Sequence, residues 1–221
     1  MDKRFWAVLG VIAVIVVGAI WISGNKAAAP TSNAQPTNHV EGQGKSGVKL
    51  VEYGDYECPI CGEFYPIVKQ VQAQFATQIY FQFRNLPLTS IHPNAFAGAR
   101  AAEAAGLMGK FWQMHDLLYD NQQTWANSSN PQPYFNSYAQ QLGLNVTQFK
   151  QKIASDQVNN LINADLDAFA KTHEQEATPT FFLDGKYINN TELVSSNGQP
   201  SVSNFAAVLN AEIASKNPSK K

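Results

Sequence analysis

The spacing of apolar residues divides this chain into three stretches with different periods. Phe5 to Ile22 is an unbroken apolar run of 18 residues without a charge, preceded by Lys3 and Arg4. As a helix it would rise about 27 Å, close to the hydrocarbon thickness of a bilayer. It predicts a signal-anchor transmembrane segment over 1–24, with positive residues keeping its N-terminus inside. A cleaved signal peptide is the rival, because a basic start and an apolar core describe both. The run exceeds the usual signal core and Trp21-Ile22-Ser23-Gly24-Asn25 is a poor cleavage site, whereas Ala27-Ala28-Ala29 leaves cleavage open. In either case the remainder is exported. Residues 25–46, rich in Ala, Pro, Ser, Thr, Asn, Gln and Gly, read as a flexible extracytoplasmic linker, with Val40 as the start of a short edge strand at most.

From Val48 onward the pattern is that of a folded domain. Val48 to Tyr53 is apolar enough for an inner strand, and Gly54-Asp55 breaks it. Ile60, Phe64, Ile67, Val68, Val71 and Phe75 then recur at threes and fours, predicting a helix over Pro59–Gln74. Ile79 to Phe83 is a second strand, so strand, helix and strand make a crossover that suits a parallel pair. From Pro93 to Thr172 the period is helical throughout. Five short helices are expected: an alanine-rich one over Ala95–Gly106, then Lys110–Tyr119, Pro131–Leu142, Val146–Ala154 and Asn159–Lys171. Strand character returns at Thr180–Leu183, with Asp184-Gly185 as a hairpin turn into Lys186–Ile188, and Ser203–Ile213 closes as an amphipathic helix. The expected organisation is an α/β domain over 47–89 and 174–215, interrupted by a helical subdomain over 90–173 and ended by a flexible tail over 216–221.

Net charge is −1 and no Lys/Arg cluster stands outside the chain ends, so nothing suggests a nucleic-acid partner. No phosphate-binding glycine loop is present. The only two cysteines, Cys58 and Cys61, sit three apart at the start of the first predicted helix, with Pro59 at the first helical position. Three readings of the pair compete. A metal knuckle needs two further ligands, and there is no second cysteine pair, while the four histidines are scattered. A structural disulfide closing so short a loop constrains the unfolded chain little. A redox-active dithiol fits best, because free N–H groups at a helix start stabilise a thiolate. Cys58 is then the nucleophile and Cys61, one turn in, the resolving thiol.

Three further positions bear on that chemistry. Pro179, in Ala177-Thr178-Pro179-Thr180, stands where a trans proline would interrupt the strand ladder. A cis bond after Thr178 would free that residue's backbone groups for an extended substrate. Glu52 lies on the strand before the dithiol and is either outward-facing or a buried proton carrier near Cys61, with burial raising its pKa. Glu57, beside Cys58, adds a negative neighbour that works against the thiolate.

Together these segments resemble the DsbA-type thiol:disulfide oxidoreductases, exported bacterial proteins with a thioredoxin fold interrupted by a helical domain. The resemblance is carried by Val51-Glu-Tyr-Gly-Asp-Tyr-Glu-Cys-Pro-Ile-Cys61, Phe83-Arg-Asn-Leu-Pro-Leu88 with His92-Pro93, Ala101-Ala-Glu-Ala-Ala-Gly106 with Gly109 to Leu118, and Ala177-Thr-Pro-Thr-Phe-Phe182, in that order. It implies an α/β, thioredoxin-like fold with an inserted all-helical subdomain behind an N-terminal transmembrane helix. It also implies an attacking Cys58, a resolving Cys61, a buried acid at Glu52, a cis-proline at Pro179 and a substrate-touching Thr178. Pro59 and Ile60, between the cysteines, would modulate redox behaviour. Ile60 departs from the pattern, because many such oxidases carry a thiolate-stabilising His there.

The implied activity introduces disulfides into reduced, unfolded exported proteins. No bound cofactor or metal is required, and a quinone-linked membrane enzyme would reoxidise the dithiol. The implied location is the bacterial cell membrane, single-pass, with the catalytic domain on the extracytoplasmic side. Two alternatives stay open: a disulfide reductase or isomerase supplied with electrons by a membrane donor, and a membrane-tethered, non-catalytic binding or assembly factor.

Overall fold

The computed structural model describes residues 34–217. The expected transmembrane or signal segment over 1–24 therefore lies outside the described residues, as do the first part of the linker and the last four residues of the tail. Among the described residues no helix is long and apolar enough to cross a membrane.

Five strands form one mixed sheet: β1 (His39–Glu41), β2 (Val48–Gly54), β3 (Ile79–Asn85), β4 (Thr180–Leu183) and β5 (Lys186–Ile188), in the spatial order β1-β3-β2-β4-β5. β2 is central. It pairs in parallel with β3 through the crossover helix α1 (Pro59–Phe75), and antiparallel with β4, which turns into β5. Residues 48, 50, 52, 53 and 54 of β2 are buried, so a strand that alternates only weakly in sequence is covered on both faces. On one face α1 and the last helix meet the sheet through Phe64, Phe181 and Phe205, whose ring centroids lie 5.3–6.2 Å apart. On the other face Tyr53, Leu86, Phe169 and Phe182 form a smaller apolar cluster.

Six helices stand between β3 and β4: α2 (Ala95–Gly106), α3 (Phe111–Asp120), α4 (Gln122–Trp125), α5 (Gln132–Gln141), α6 (Val146–Ile153) and α7 (Asp156–Ala170). The closing helix α8 spans Val202–Lys216. The extra helix relative to expectation is α4, a single turn whose Trp125 is wholly buried and donates to the Leu118 carbonyl at 2.8 Å. The last inserted helix begins at Asp156 rather than Asn159, because the Ser155 hydroxyl accepts from the Val158 N–H and caps it there. The alanine run of α2 is its buried surface: Ala95, Ala99, Ala101, Ala102, Ala104 and Ala105 are all buried. A Cβ on Gly98 would crowd the Trp125 ring and the Cβ of Tyr56, so glycine lets α2 approach both.

The expected linker over 25–46 is corrected at its C-terminal end. His39–Glu41 is a strand that pairs antiparallel with Phe81–Phe83. Side chains explain why so polar a stretch orders. Asp165 of α7 accepts from the Thr37 N–H and hydroxyl, both at 2.7 Å, and from the Asn85 backbone and side chain at 2.9 and 3.1 Å. His39 stacks on Phe111 with ring centroids 3.4 Å apart and shares a hydrogen bond with Glu103 at 2.9 Å. Burial raises the pKa of Asp165, and the Asn85 and Thr37 donors pull it back.

Candidate functional site

β2 ends at Gly54, and the four residues that follow present the dithiol. Asp55 organises this turn. Its carboxylate accepts from the Glu57 N–H at 2.8 Å, the Leu88 N–H at 2.9 Å and His92 Nδ1 at 2.7 Å. Its own carbonyl accepts from the Cys58 N–H at 3.2 Å. Cys58 is the N-cap of α1 in extended backbone conformation, and Pro59 occupies the first helical position as the sequence predicts. Both thiols are free and buried: Cys58 is 5% exposed and Cys61 is fully covered. Ile60 between them is 47% exposed and is the apolar projection of the site.

The two sulfurs have opposite surroundings. Cys58 is pulled down from 9.0 to about 6, first by a hydrogen bond from the Cys61 thiol, against the opposing effect of burial. The Thr178 hydroxyl and the N–H groups of Cys61 and Ile60 contribute further lowering. Cys61 is pushed well above 9.0 by burial, then by the hydrogen bond its thiol gives Cys58, and further by the negative charges of Cys58 and Glu52. The pair is therefore poised for one exposed-side thiolate and one proton-holding thiol.

Thr178–Pro179 is a cis peptide, and Thr178 lies against Cys58. As a thiol, Cys58 donates to the Thr178 carbonyl at 3.5 Å. The Thr178 hydroxyl is buried and has no standard hydrogen-bond partner, which leaves it available to the Cys58 thiolate. The loop is braced on both sides: Thr180 Oγ1 donates to the Ala177 carbonyl at 2.6 Å, and Asn190 Nδ2 to the Pro179 carbonyl at 2.8 Å. Glu52 takes the buried alternative. It is 3% exposed, and burial alone raises its pKa from 4.5 to about 8. A negative charge on Glu52 would raise the Cys61 pKa further, so the two buried groups are electrostatically linked.

Glu57 is less directly involved than its position in sequence suggests. Its carboxylate accepts from the Asn94 N–H and is spent on tying the active-site turn to the start of α2. Asp55, His92 and Gln122 are the residues that sequence reasoning leaves without a role. The first two lock the turn. Gln122 of α4 reaches it from the insert, donating to the Tyr56 and Cys58 carbonyls at 2.9 and 2.8 Å. His115 is buried, and its pKa falls to about 3 chiefly through that burial; its Nδ1 lies 3.0 Å from the Tyr56 hydroxyl. Among the described residues no cluster of His, Cys, Asp or Glu could hold a metal ion.

Comparison with known proteins places this geometry in context. A sequence-family model described as Thioredoxin matches residues 34–197. A curated relative, Na(+)/H(+) antiporter NhaA 1 of Salinispora arenicola, is 40% identical over 149 residues, which is 67% of this chain but 22% of the relative. The chain thus matches less than a quarter of the length of that relative. Among solved structures, oxidised BdbD from Bacillus subtilis superposes with a TM-score of 0.67 at 22% identity, covering 81% of this chain and 96% of BdbD. MdbA, a thiol-disulfide oxidoreductase from Actinomyces oris, gives 0.63 at 16% identity over 84% of this chain and 96% of its own. At these identities the structural likeness establishes the fold.

Proposed function

The chain belongs to the thioredoxin family, and from that footing we propose that it is a DsbA-like thiol:disulfide oxidoreductase that donates a disulfide to exported polypeptides through Cys58 and Cys61. The observation that carries this reading is the asymmetry of the two thiols. A Cys58 held near pH 6 beside a Cys61 held above 9.0 stabilises the reduced form relative to the disulfide, and a disulfide so placed tends to be given away. MdbA of Actinomyces oris, which shares the fold, is a thiol-disulfide oxidoreductase, and that supports the assignment.

The exchange then runs in two displacements. A client thiolate attacks Cys58 Sγ of the oxidised protein, forming a client–Cys58 disulfide while the Cys58–Cys61 bond breaks. Cys61 leaves with the electron pair and takes a proton from Glu52, which at neutral pH holds one because its pKa stands near 8. A second client thiolate attacks the client sulfur, and Cys58 leaves as its stabilised thiolate. The client has lost two electrons and the protein dithiol has gained them. During the mixed disulfide, Thr178 and Pro179 face the client chain, and their braced backbone suits an extended segment.

Reoxidation requires an external acceptor, for which we propose a quinone-linked membrane enzyme. Tethering through residues 1–24 at the extracytoplasmic side of a bacterial membrane would keep the two close. The antiport named for the Salinispora relative belongs to a protein of which this chain matches 22%, and it is not proposed for this chain.

The test is the reduction potential of the Cys58/Cys61 pair in the full chain, equilibrated in glutathione buffers. Ile60 offers the thiolate neither charge nor hydrogen bond from its side chain, so the expected value lies between about −120 mV and about −270 mV, the range bounded by strong oxidases and thioredoxin. A value above about −200 mV supports disulfide donation. A value near or below about −250 mV overturns it in favour of a reductase.

A further inference from the structure

A groove of about 330 Å³ lies beside the dithiol, between the first turn of α1 and the α3–α4 junction. Pro59, Gly62 and Glu63 form one wall, and Tyr119, Asp120 and Gln122 form the other. Its charged lining residues are Glu63 and Asp120, both exposed, and no Lys, Arg or His contributes to it. Neither carboxylate has a cationic partner among the described residues; the nearby ion pair on this side, Lys69 with Asp116, is self-contained at 3.0 Å. The negative character of the surface is felt by Tyr65, whose phenol is held up by burial and then by the charges of Asp116 and Asp120, with which its hydroxyl also hydrogen-bonds; that neutral donor leaves the Asp120 charge uncompensated.

The floor is built to accept hydrogen bonds. Gln122 is 6% exposed, and its Nε2 is fixed by the Tyr56 and Cys58 carbonyls. That fixes the direction of Oε1, which sits over Gly62 in the space a Cβ there would occupy. No donor among the described residues reaches this oxygen. A fixed carbonyl in the floor and two carboxylates without a cation at the rim call for a ligand that is positively charged and rich in donors. A guanidinium or an ammonium meets that description, and an acidic or purely apolar side chain does not. The floor is one hydrogen bond from the Cys58 carbonyl, and Pro59 of the wall directly follows Cys58 in the chain, so the groove adjoins the backbone that carries the dithiol.

We propose that this groove receives a Lys or Arg side chain of the client polypeptide, within a residue or two of the cysteine that joins Cys58. The protein consequently exchanges fastest with cysteines flanked by positive charge. The inference rests on the exchange activity proposed above and names the client class for that same site.

The test uses the oxidised full chain and reduced two-cysteine peptides that differ only in carrying Arg, Ala or Glu beside the first cysteine. Neighbouring charge alters a thiol's own reactivity, so each rate is divided by that of the same peptide with hydroxyethyl disulfide, a small neutral disulfide without a groove. The Arg peptide is expected to be about fivefold faster than the Glu peptide after this correction, the scale of two exposed ion pairs. The preference should shrink in about 0.5 M salt, where such pairs are screened. It should fall below about twofold in the double variant Glu63→Gln, Asp120→Asn, whose changes are at exposed positions and keep side-chain shape. Exchange that is blind to peptide charge, or a preference that the double variant keeps, overturns this inference and leaves the activity standing. Absence of exchange with every peptide removes the activity itself, and this inference with it.

Discussion

The side-chain amide of Gln122 donates to the Cys58 carbonyl at 2.8 Å, so a residue of the helical insert holds the backbone of the first cysteine. The same nitrogen bonds the Tyr56 carbonyl at 2.9 Å, and both carbonyls lie on the turn that enters α1. The insert is thereby part of the candidate site rather than a lid beside it. Replacing Gln122 with Met keeps the length of the side chain and removes both donors. The buried carbonyls left behind should cost about 1–3 kcal/mol in urea denaturation. The Cys58 titration should also move upward, because the Ile60 and Cys61 N–H groups that steady the thiolate are no longer held in place. A variant with unchanged stability and unchanged titration would show that the clamp does nothing for the site.

The titration of Cys58 can be dissected by the order of its causes. Thiolate absorbance of the reduced protein should report one group near pH 6 and a second well above 9.0. Cys61→Ala removes the largest stabilising hydrogen bond and should move Cys58 most of the way back toward 9.0. Thr178→Val removes a smaller contribution and should move it less. The sign for stability follows from linkage. A thiol whose pKa is depressed in the folded state adds stability to the reduced protein as pH rises from about 6 to 9.0, and that contribution is lost as pH falls through 6. Equal shifts in the two variants would mean that the thiol–thiol contact is not the main cause.

Much of this site is legible in the sequence because its parts lie on short, strongly patterned segments. Cys58 and Cys61 follow a strand and open a helix, Pro59 marks the first helical position, and Pro179 precedes a four-residue apolar strand. The burial of Glu52 stays open in the sequence, because an acidic residue on a central strand looks the same from either face until the covering helices are placed. Asp55 carries a weak signal, an aspartate just after a strand-ending glycine, which is the setting of a side-chain-capped turn. Gln122 carries none. Its role arises where a four-residue helix, too short to show any period, meets a turn 64 positions earlier in the chain. The ordered end of the linker is hidden for a related reason. Polar composition says a segment cannot build a core, but Thr37 and His39 are held by buried Asp165 and Glu103 from distant helices.

That last contact gives a prediction about the N-terminal edge. Asp165 gathers four donors from Thr37 and Asn85, so Asp165→Ala leaves them facing a buried void. Stability should fall by about 3 kcal/mol, the scale for removing one partner of a buried charged network. Limited proteolysis should then cut between residues 34 and 46 while the rest of the domain stays intact. Resistance of that stretch to protease in the variant would show that pairing of β1 with β3 suffices to hold it.

Glu52 offers the most direct link between pH, stability and turnover. Its folded pKa stands near 8 against 4.5 for a free carboxyl. Between those values the native protein keeps a proton that the unfolded chain has released, so stability falls as pH rises through that window. Glu52→Gln keeps the shape without the charge. It should abolish that part of the slope and make the protein more stable than the natural sequence at pH 8, by something on the order of 4 kcal/mol. The same change leaves Cys61 without its proton donor, so exchange per client thiolate should slow by about tenfold or more near neutral pH. The natural protein should lose that advantage above pH 8, where Glu52 has already given up its proton, and the variant should show no such fall. A variant that gains stability yet exchanges at the natural rate would leave Glu52 as a buried charge without a role in proton transfer.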